Sequence, residues 1–125
     1  MRVLVVDSDP LFHRALKRAA RHVMTCTSAT SADEAGAMLG MRSFDVIAAN
    51  WCLNKQPSGA VALLHAIRSA GHFTPAFVYY MRKLSRQEQA KTLGAGAQAV
   101  ISLVADGDPV GCGSGQGQRQ SGGAG

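Results

Sequence analysis

The residues of this chain that could do chemistry come directly after apolar runs. Asp7 and Asp9 follow the run at residues 3–6, and Asn50 ends the run at residues 44–50. Carboxylates are the ligands that a hard cation such as Mg²⁺ prefers, and a carboxylate can also act as a nucleophile. An amide is a poor nucleophile and only a weak neutral ligand. The pattern therefore indicates a small acidic pocket with an amide beside it.

Short apolar runs alternate with helical patterns along the chain, which is typical of a parallel sheet connected by helices. The predicted strands cover residues 3–6, 23–27, 44–50, 76–80 and 99–104. The predicted helices begin after Asp9, Ser31, Pro57 and Ser85 and end near His22, Gly40, Gly71 and Gly94. Ser31 and Ser85 each precede a glutamate by three residues, which predicts two capping boxes.

The first helix carries an apolar stripe that is predicted to face the sheet. It consists of Leu11, Phe12, Ala15, Leu16, Ala19 and Val23. The basic residues of this helix, Arg14, Lys17, Arg18 and Arg21, are then predicted to face outward. They form either a solvated helix face or a docking surface.

The composition indicates one globular domain followed by a different kind of tail. The chain has 125 residues, of which 46% are hydrophobic and 17% charged, enough for a single core. Eight of its 14 glycines follow Ala105. We therefore predict a domain over residues 1–105 and a disordered glycine-rich tail over residues 106–125.

The net charge of +5 suggests nucleic acid or an anionic membrane as a partner. No aromatic-rich basic motif accompanies the arginines of the first helix, so nucleic acid is not favoured. The apolar run at residues 3–6 is too short for a signal-peptide core or a membrane span. We therefore expect a cytoplasmic protein without membrane contact.

Four segments resemble the receiver domain of bacterial two-component response regulators. They are Val-Leu-Val-Val-Asp-Ser-Asp-Pro at 3–10, Phe-Asp-Val-Ile at 44–47 leading to Asn50, Thr-Pro at 74–75 and Gly-Ala-Gln-Ala at 96–99. The resemblance covers residues 1 to about 104. It implies an α/β, flavodoxin-like (CheY-like), doubly wound fold with a five-stranded parallel sheet in the order 2-1-3-4-5.

Receiver domains usually end in a fifth helix that packs beside the first. Residues 106–109, Asp-Gly-Asp-Pro, break the chain, and no amphipathic stretch follows them. We therefore predict that the last helix is lacking and that apolar surface near strands four and five stays open. Such a surface favours a second copy or a partner helix.

The resemblance also implies a role for each pocket position. In receiver domains an acidic pair and an aspartate hold Mg²⁺, the aspartate accepts a phosphoryl group, and a Thr or Ser and a Lys respond to it. Here Asp7 keeps the first acid, Ser8 replaces the second, and Asp9 lies one position further along. The acceptor position holds Asn50. Tyr80 or Met81 replaces the small hydroxyl residue, and Leu103 replaces the lysine.

These replacements predict a degenerate receiver, or pseudo-receiver, that is not an enzyme and has no metal or other cofactor, with Mg²⁺ binding weak or absent. It would signal by phosphorylation-independent contact with another signalling protein or with a second copy. Two alternatives stay open. The chain could accept a phosphoryl group at a non-standard residue, with Asp7 and Asp9 as a reduced metal site, or it could bind nucleic acid through its basic first helix.

Overall fold

The computed structural model describes residues 1–103, which form a five-stranded sheet with helices on both faces. The strands are β1 (Arg2–Val6), β2 (Thr25–Ala29), β3 (Val46–Asn50), β4 (Ala76–Tyr80) and β5 (Ala99–Ser102). The helices are α1 (Pro10–Ala20), α2 (Ala32–Met41), α3 (Gly59–Ser69) and α4 (Arg86–Gly94).

The strands lie in the order β2-β1-β3-β4-β5, and every neighbouring pair is parallel. This confirms the predicted flavodoxin-like fold and its strand order. The predicted end of the domain at residue 105, the lack of a last helix and the tail over residues 106–125 lie outside the described residues.

Alternate residues of each strand pack into two separate core layers, as the two-residue period of a strand requires. Leu4 and Val6 of β1 face the layer that α2, α3 and α4 cover. Val3 and Val5 face the opposite layer, against Phe12 of α1. Within residues 1–103 the four helices therefore divide unequally, three on one face of the sheet and α1 on the other.

The second strand begins two residues later than the sequence predicted. After α1 the chain turns, and the backbone N–H groups of Val23 and Met24 both donate to the carbonyl oxygen of Ala20, at 2.8 and 3.0 Å. This turn uses residues that were assigned to the strand and leaves Val23 exposed. The start of β3 is also two residues later than predicted, at Val46.

The predicted orientation of α1 was wrong for part of its apolar stripe. The buried residues of this helix are His13 and Ala20, and Phe12 and Leu16 are half-buried. Leu11 is 66% exposed, and Ala15 and Ala19 are exposed as well. The helix is rotated relative to the prediction because Phe12 stacks on Tyr79 and His13 reaches the backbone of Asp7.

One of the two predicted capping boxes forms completely. Ser85 accepts from the backbone N–H of Glu88, whose carboxylate accepts from the N–H of Ser85. Ser31 caps α2 in the predicted way, but the Glu34 carboxylate accepts from the backbone and hydroxyl of Thr30. The glutamate therefore reaches one residue further back than a capping box requires.

Gly59→Ala is expected to destabilise the fold by about 1–2 kcal/mol, because a methyl group there has no room. A β-carbon at position 59 would lie 2.9 Å from Leu53 Cβ and 3.0 Å from the Leu53 backbone nitrogen. Urea unfolding measures the change. The matched control is Gly36→Ala in α2, where a β-carbon meets nothing within 4 Å. That variant is expected to gain about 0.5–1 kcal/mol from helix propensity, and equal losses in both variants would contradict the steric argument.

Candidate functional site

Asp7 lies at the centre of the site, where the carboxyl ends of β1, β3 and β4 meet. Its side chain is buried, with 3% of the residue exposed. The carboxylate oxygen Oδ2 accepts from Asn50 Nδ2 at 3.1 Å and from the Tyr79 hydroxyl at 2.7 Å. The other oxygen, Oδ1, accepts from the backbone N–H of Asp9 at 2.9 Å. We call the side chains of Asp7, Asn50 and Tyr79 the Asp7 network.

The amide of Asn50 has a fixed orientation within this network. Its oxygen Oδ1 accepts from the backbone N–H of Cys52 at 3.0 Å, which turns its nitrogen toward Asp7. An ionised carboxylate has no hydrogen to donate, so an aspartate could not make both contacts. The Asp7 network therefore depends on an amide at position 50.

Tyr79 is the member of the network that the sequence analysis missed. In the sheet register Tyr79 lies opposite Asn50 on the neighbouring strand, and its ring stacks on Phe12 at a centroid distance of 5.3 Å. Burial raises the pKa of the Tyr79 hydroxyl, and the hydrogen bond to Asp7 and the charges of Asp7 and Asp9 raise it further. Tyr79 is therefore held as a neutral hydrogen-bond donor.

His13 supports the same point of the chain from α1. Its Nε2 lies 2.6 Å from the backbone carbonyl oxygen of Asp7. A carbonyl oxygen only accepts, so Nε2 carries the hydrogen in this contact. His13 is buried, and it fixes the distance between α1 and the end of β1. The sequence pattern did not indicate that His13 is buried, because the spacing of the apolar residues predicted Leu11 on the inner face of α1.

The two polar neighbours of Asp7 are used to hold the backbone. Asp9 caps α1, since its carboxylate accepts from the backbone N–H of Leu11 at 2.9 Å. The Ser8 hydroxyl accepts from the backbone N–H of Asn54 at 3.3 Å and so joins the β1–α1 loop to the loop after β3. Asp9 was predicted to share an acidic pocket with Asp7, and the contact between them runs through the Asp9 backbone.

No protein-family model matches the sequence, and no curated protein matches it. Solved structures do match. The receiver domain of the Francisella response regulator 1452 superposes with a TM-score of 0.71 at 21% identity, over 82% of this chain and 83% of that one. A two-component response regulator from Clostridium difficile gives a TM-score of 0.72 at 17% identity, over 82% and 83%.

The chemotaxis protein CheY4 of Vibrio cholerae gives a TM-score of 0.71 at 19% identity, covering 82% of this chain and 85% of that one. This chain has the receiver-domain fold. Identities at this level establish the fold, and the chemistry of the site has to be read from its own residues.

Within this receiver fold, Tyr80 and Leu103 occupy places outside the Asp7 network. Tyr80 packs in the layer covered by α2, α3 and α4, with its ring 5.0 Å from that of Trp51. The Arg82 guanidinium lies over both rings, 5.3 Å from the Tyr80 centroid and 5.5 Å from that of Trp51. Leu103 is 48% exposed, and its backbone N–H donates to the Tyr80 carbonyl oxygen at 2.9 Å.

The end of β4 therefore sends two neighbouring tyrosines to opposite faces of the receiver sheet. Tyr80 or Met81 was predicted at the position of the small hydroxyl residue, whereas the hydroxyl that reaches Asp7 belongs to Tyr79. The alternation of side chains along β4 would have identified Tyr79. The side chains of Phe77 and Tyr79 lie on the same face of the sheet as those of Val3 and Val5 in β1.

A separate cavity of about 270 Å³ lies between α4 and β5. It is lined by Arg82, Lys83, Leu84, Gln89, Val100, Ile101 and Ser102. Arg82 also forms an ion pair with Glu88 at 3.2 Å. The cavity does not include Asp7 or Asn50, so it is distinct from the Asp7 network.

The basic residues of α1 and the arginine that follows it are all exposed. They are Arg14, Lys17, Arg18 and Arg21. Over residues 1–103 we find no group of three or more His, Cys, Asp or Glu side chains placed to hold a metal ion. Nor does any helix in that range have the length and apolar character needed to cross a membrane.

Proposed function

We propose that this receiver-fold chain is a pseudo-receiver, a signalling module that binds a partner protein without taking up a phosphoryl group. The observation that carries the proposal is the Asp7 network. In it the carboxylate of Asp7 accepts from the side chains of Asn50 and Tyr79. The pocket is thus closed by the chain's own hydrogen bonds.

The residues of the pocket do not fit Mg²⁺. A cation would need the oxygens of Asp7, but three donors already occupy them. The amide oxygen of Asn50 and the hydroxyl of Ser8 are engaged by backbone N–H groups. Binding a hard cation would break several of these hydrogen bonds and would supply only one carboxylate ligand, that of Asp7. Such ions prefer several carboxylate or other oxygen ligands.

The replacement at position 50 removes the group that would carry a phosphoryl. One structural neighbour, a response regulator from Burkholderia pseudomallei, was solved with a phosphorylated aspartic acid and a calcium ion. This chain has Asn50 at the end of β3, and an amide nitrogen or oxygen is too poor a nucleophile to form an acyl phosphate. A module of this kind is a binding protein and not an enzyme.

The partner in this proposal is another signalling protein or a second copy of the chain, met in the cytoplasm. Conformational switching by phosphorylation would need a residue that senses the phosphoryl group and a cation that pairs with it. Leu103 supplies neither, and Tyr80 packs beside Trp51. Partner binding is therefore proposed to be constitutive.

The test is exposure of the full chain to acetyl phosphate with Mg²⁺, followed by intact mass and by Trp51 fluorescence. Trp51 follows Asn50 directly, is 4% exposed and donates its backbone N–H to the Tyr79 carbonyl oxygen at 2.9 Å, so its emission responds to movement of the strand ends that carry the pocket. We expect no phosphoryl mass gain and no change in emission on adding Mg²⁺ or acetyl phosphate. The physical reason is that position 50 holds an amide in place of a carboxylate nucleophile, and both oxygens of Asp7 already accept hydrogen bonds.

A phosphoryl mass gain would overturn the proposal, and Asn50→Ala identifies its source. A gain that survives this substitution places the phosphoryl group at a non-standard residue. An unchanged mass with a shift in Trp51 emission on Mg²⁺ alone would also count against the proposal, because it would show that the pocket binds the cation.

A further inference from the structure

The face of the sheet that carries α1 is only half covered within residues 1–103. Phe77 of β4 is half-buried, and Ala99 and Ile101 of β5 are exposed, Ile101 by 41%. On the opposite face Val78 is fully buried and Val100 packs against the core. Apolar side chains at the end of the sheet thus lie in solvent on one side only.

The neighbouring flank of α1 is also apolar and exposed. Leu11, Ala15 and Ala19 recur every fourth residue, so they share one face of the helix. Phe12 lies beside this face and stacks on Tyr79, whose register partner on β5 is Ile101. The flank therefore faces the uncovered end of the sheet. We call the six residues Leu11, Ala15, Ala19, Phe77, Ala99 and Ile101 the open trough.

The outer rim of the open trough is basic. Arg14 follows Leu11 by three residues and Arg18 follows Ala15 by three, which places each arginine beside a trough residue on the surface of α1. Both are exposed. Lys17, in contrast, lies on the other flank, where its charge acts on Cys26 of β2. An apolar floor with cations along one edge fits a ligand with an apolar stripe and an acidic flank.

We propose that the open trough docks an amphipathic helix with an acidic flank, supplied by a partner protein. An amphipathic helix in an apolar groove is a common recognition mode, in which apolar anchors supply the affinity and charges set the orientation. Leu11 and Ala19 are eight positions apart, or about 12 Å along the helix, so about two turns of a partner helix would fill the trough. This inference rests on the proposed function, since it names the surface and the partner class.

Two other occupants fit less well. A second copy placed by two-fold symmetry brings the same surface of both chains together, so Arg14 and Arg18 would approach their own equivalents. The sequence at residues 104–125 contains eight glycines and no apolar spacing of three and four, so it is a poor source of an amphipathic helix. Its two acidic residues, Asp106 and Asp108, are separated by Gly107.

The experiment measures fluorescence anisotropy of two labelled 16-residue synthetic helices titrated with the full chain. Both helices have the same leucine stripe, and one has glutamate and the other lysine along its flanks. We expect the glutamate helix to bind at least about tenfold more tightly. The double variant Arg14→Glu with Arg18→Glu should reverse this preference, and Ile101→Asp should weaken both helices by about tenfold or more.

Matched controls use exposed residues away from the open trough. Met41→Asp places the same charge on a residue of α2 that is 76% exposed, and Arg86→Glu reverses an exposed cation of α4. Neither should change binding, and circular dichroism checks that each variant is folded. Equal affinity for the two helices, or equal losses in the control variants, would overturn the inference.

Sedimentation velocity tests the competing occupant. A dimer that Ile101→Asp dissociates would assign the open trough to a second copy and overturn the inference of an acidic helix. A phosphoryl mass gain would defeat the proposed function and leave the peptide result unchanged. The two failures are therefore distinguishable.

Discussion

Asn50→Asp is expected to destabilise the protein by about 2–4 kcal/mol at neutral pH without divalent cations. The substitution removes the Asn50 Nδ2 donor, which lies 3.1 Å from Asp7 Oδ2, and puts a second negative charge in its place. Asp7 is buried and the new carboxylate would be half-buried, so water screens their repulsion poorly. Urea unfolding followed by Trp51 fluorescence measures the loss.

The control for charge is Asn50→Ala, which removes the same hydrogen bond without adding a carboxylate. It should cost about 1–2 kcal/mol, less than Asn50→Asp. Mg²⁺ should restore much of the stability of Asn50→Asp by binding the two carboxylates, and should leave Asn50→Ala unchanged. An unmodified protein that Mg²⁺ stabilises as much as Asn50→Asp would contradict the argument.

The fold was predictable because its signals are local and repeated. β1, β3 and β4 are short apolar runs, and α1, α2 and α4 begin at the capping side chains Asp9, Ser31 and Ser85. The alternation of these elements restricts the topology to a parallel sheet with crossover helices. The carboxyl ends of β1 and β3 must then lie together, and Asn50 Nδ2 lies 3.1 Å from Asp7 Oδ2.

The contacts of individual side chains were not predictable, because a sequence pattern does not show which neighbours each side chain can reach. Two consecutive tyrosines end β4, and only the register of β3 against β4 decides that Tyr79 meets the Asp7 network. The rotation of α1 was set by a buried histidine, His13, and not by the count of apolar residues. The Glu34 carboxylate likewise accepts from Thr30 and not from the backbone N–H of Ser31, because the Thr30 backbone and hydroxyl provide two donors at 2.6 and 3.0 Å.

Two of the misplaced residues, His13 and Tyr79, share a physical cause. At each of them a polar contact competes with the apolar pattern, and a hydrogen bond to a buried partner is strong enough to decide the local geometry. Leu11 is exposed because His13 and Phe12 take the inner face of α1. The same rotation exposes the flank that forms the open trough, so the least predictable helix also sets the candidate docking surface.

Tyr79→Phe is expected to cost about 1.5–3 kcal/mol at neutral pH, because it removes a buried hydrogen bond to a carboxylate at 2.7 Å and keeps the ring. Stacking on Phe12 should survive, so the loss is assigned to the hydroxyl. Urea unfolding of a double-mutant cycle with Asn50→Ala measures the coupling, since both donors share Asp7 Oδ2. Strictly additive losses would contradict a shared network.

The same hydroxyl makes stability depend on pH in the alkaline range. Burial, followed by the hydrogen bond to Asp7, raises the Tyr79 pKa in the folded protein above its ordinary value of 10.0, which the unfolded chain keeps. Above pH 10.0 the unfolded chain loses the Tyr79 proton while the folded protein retains it, so this contribution to stability is complete below pH 10.0 and is lost as pH rises beyond it. The unmodified protein should therefore lose up to about 1.4 kcal/mol per pH unit more than Tyr79→Phe does. Parallel curves for the two proteins above this pH would show that Tyr79 is not held as a neutral donor, and the closed pocket would lose its main support.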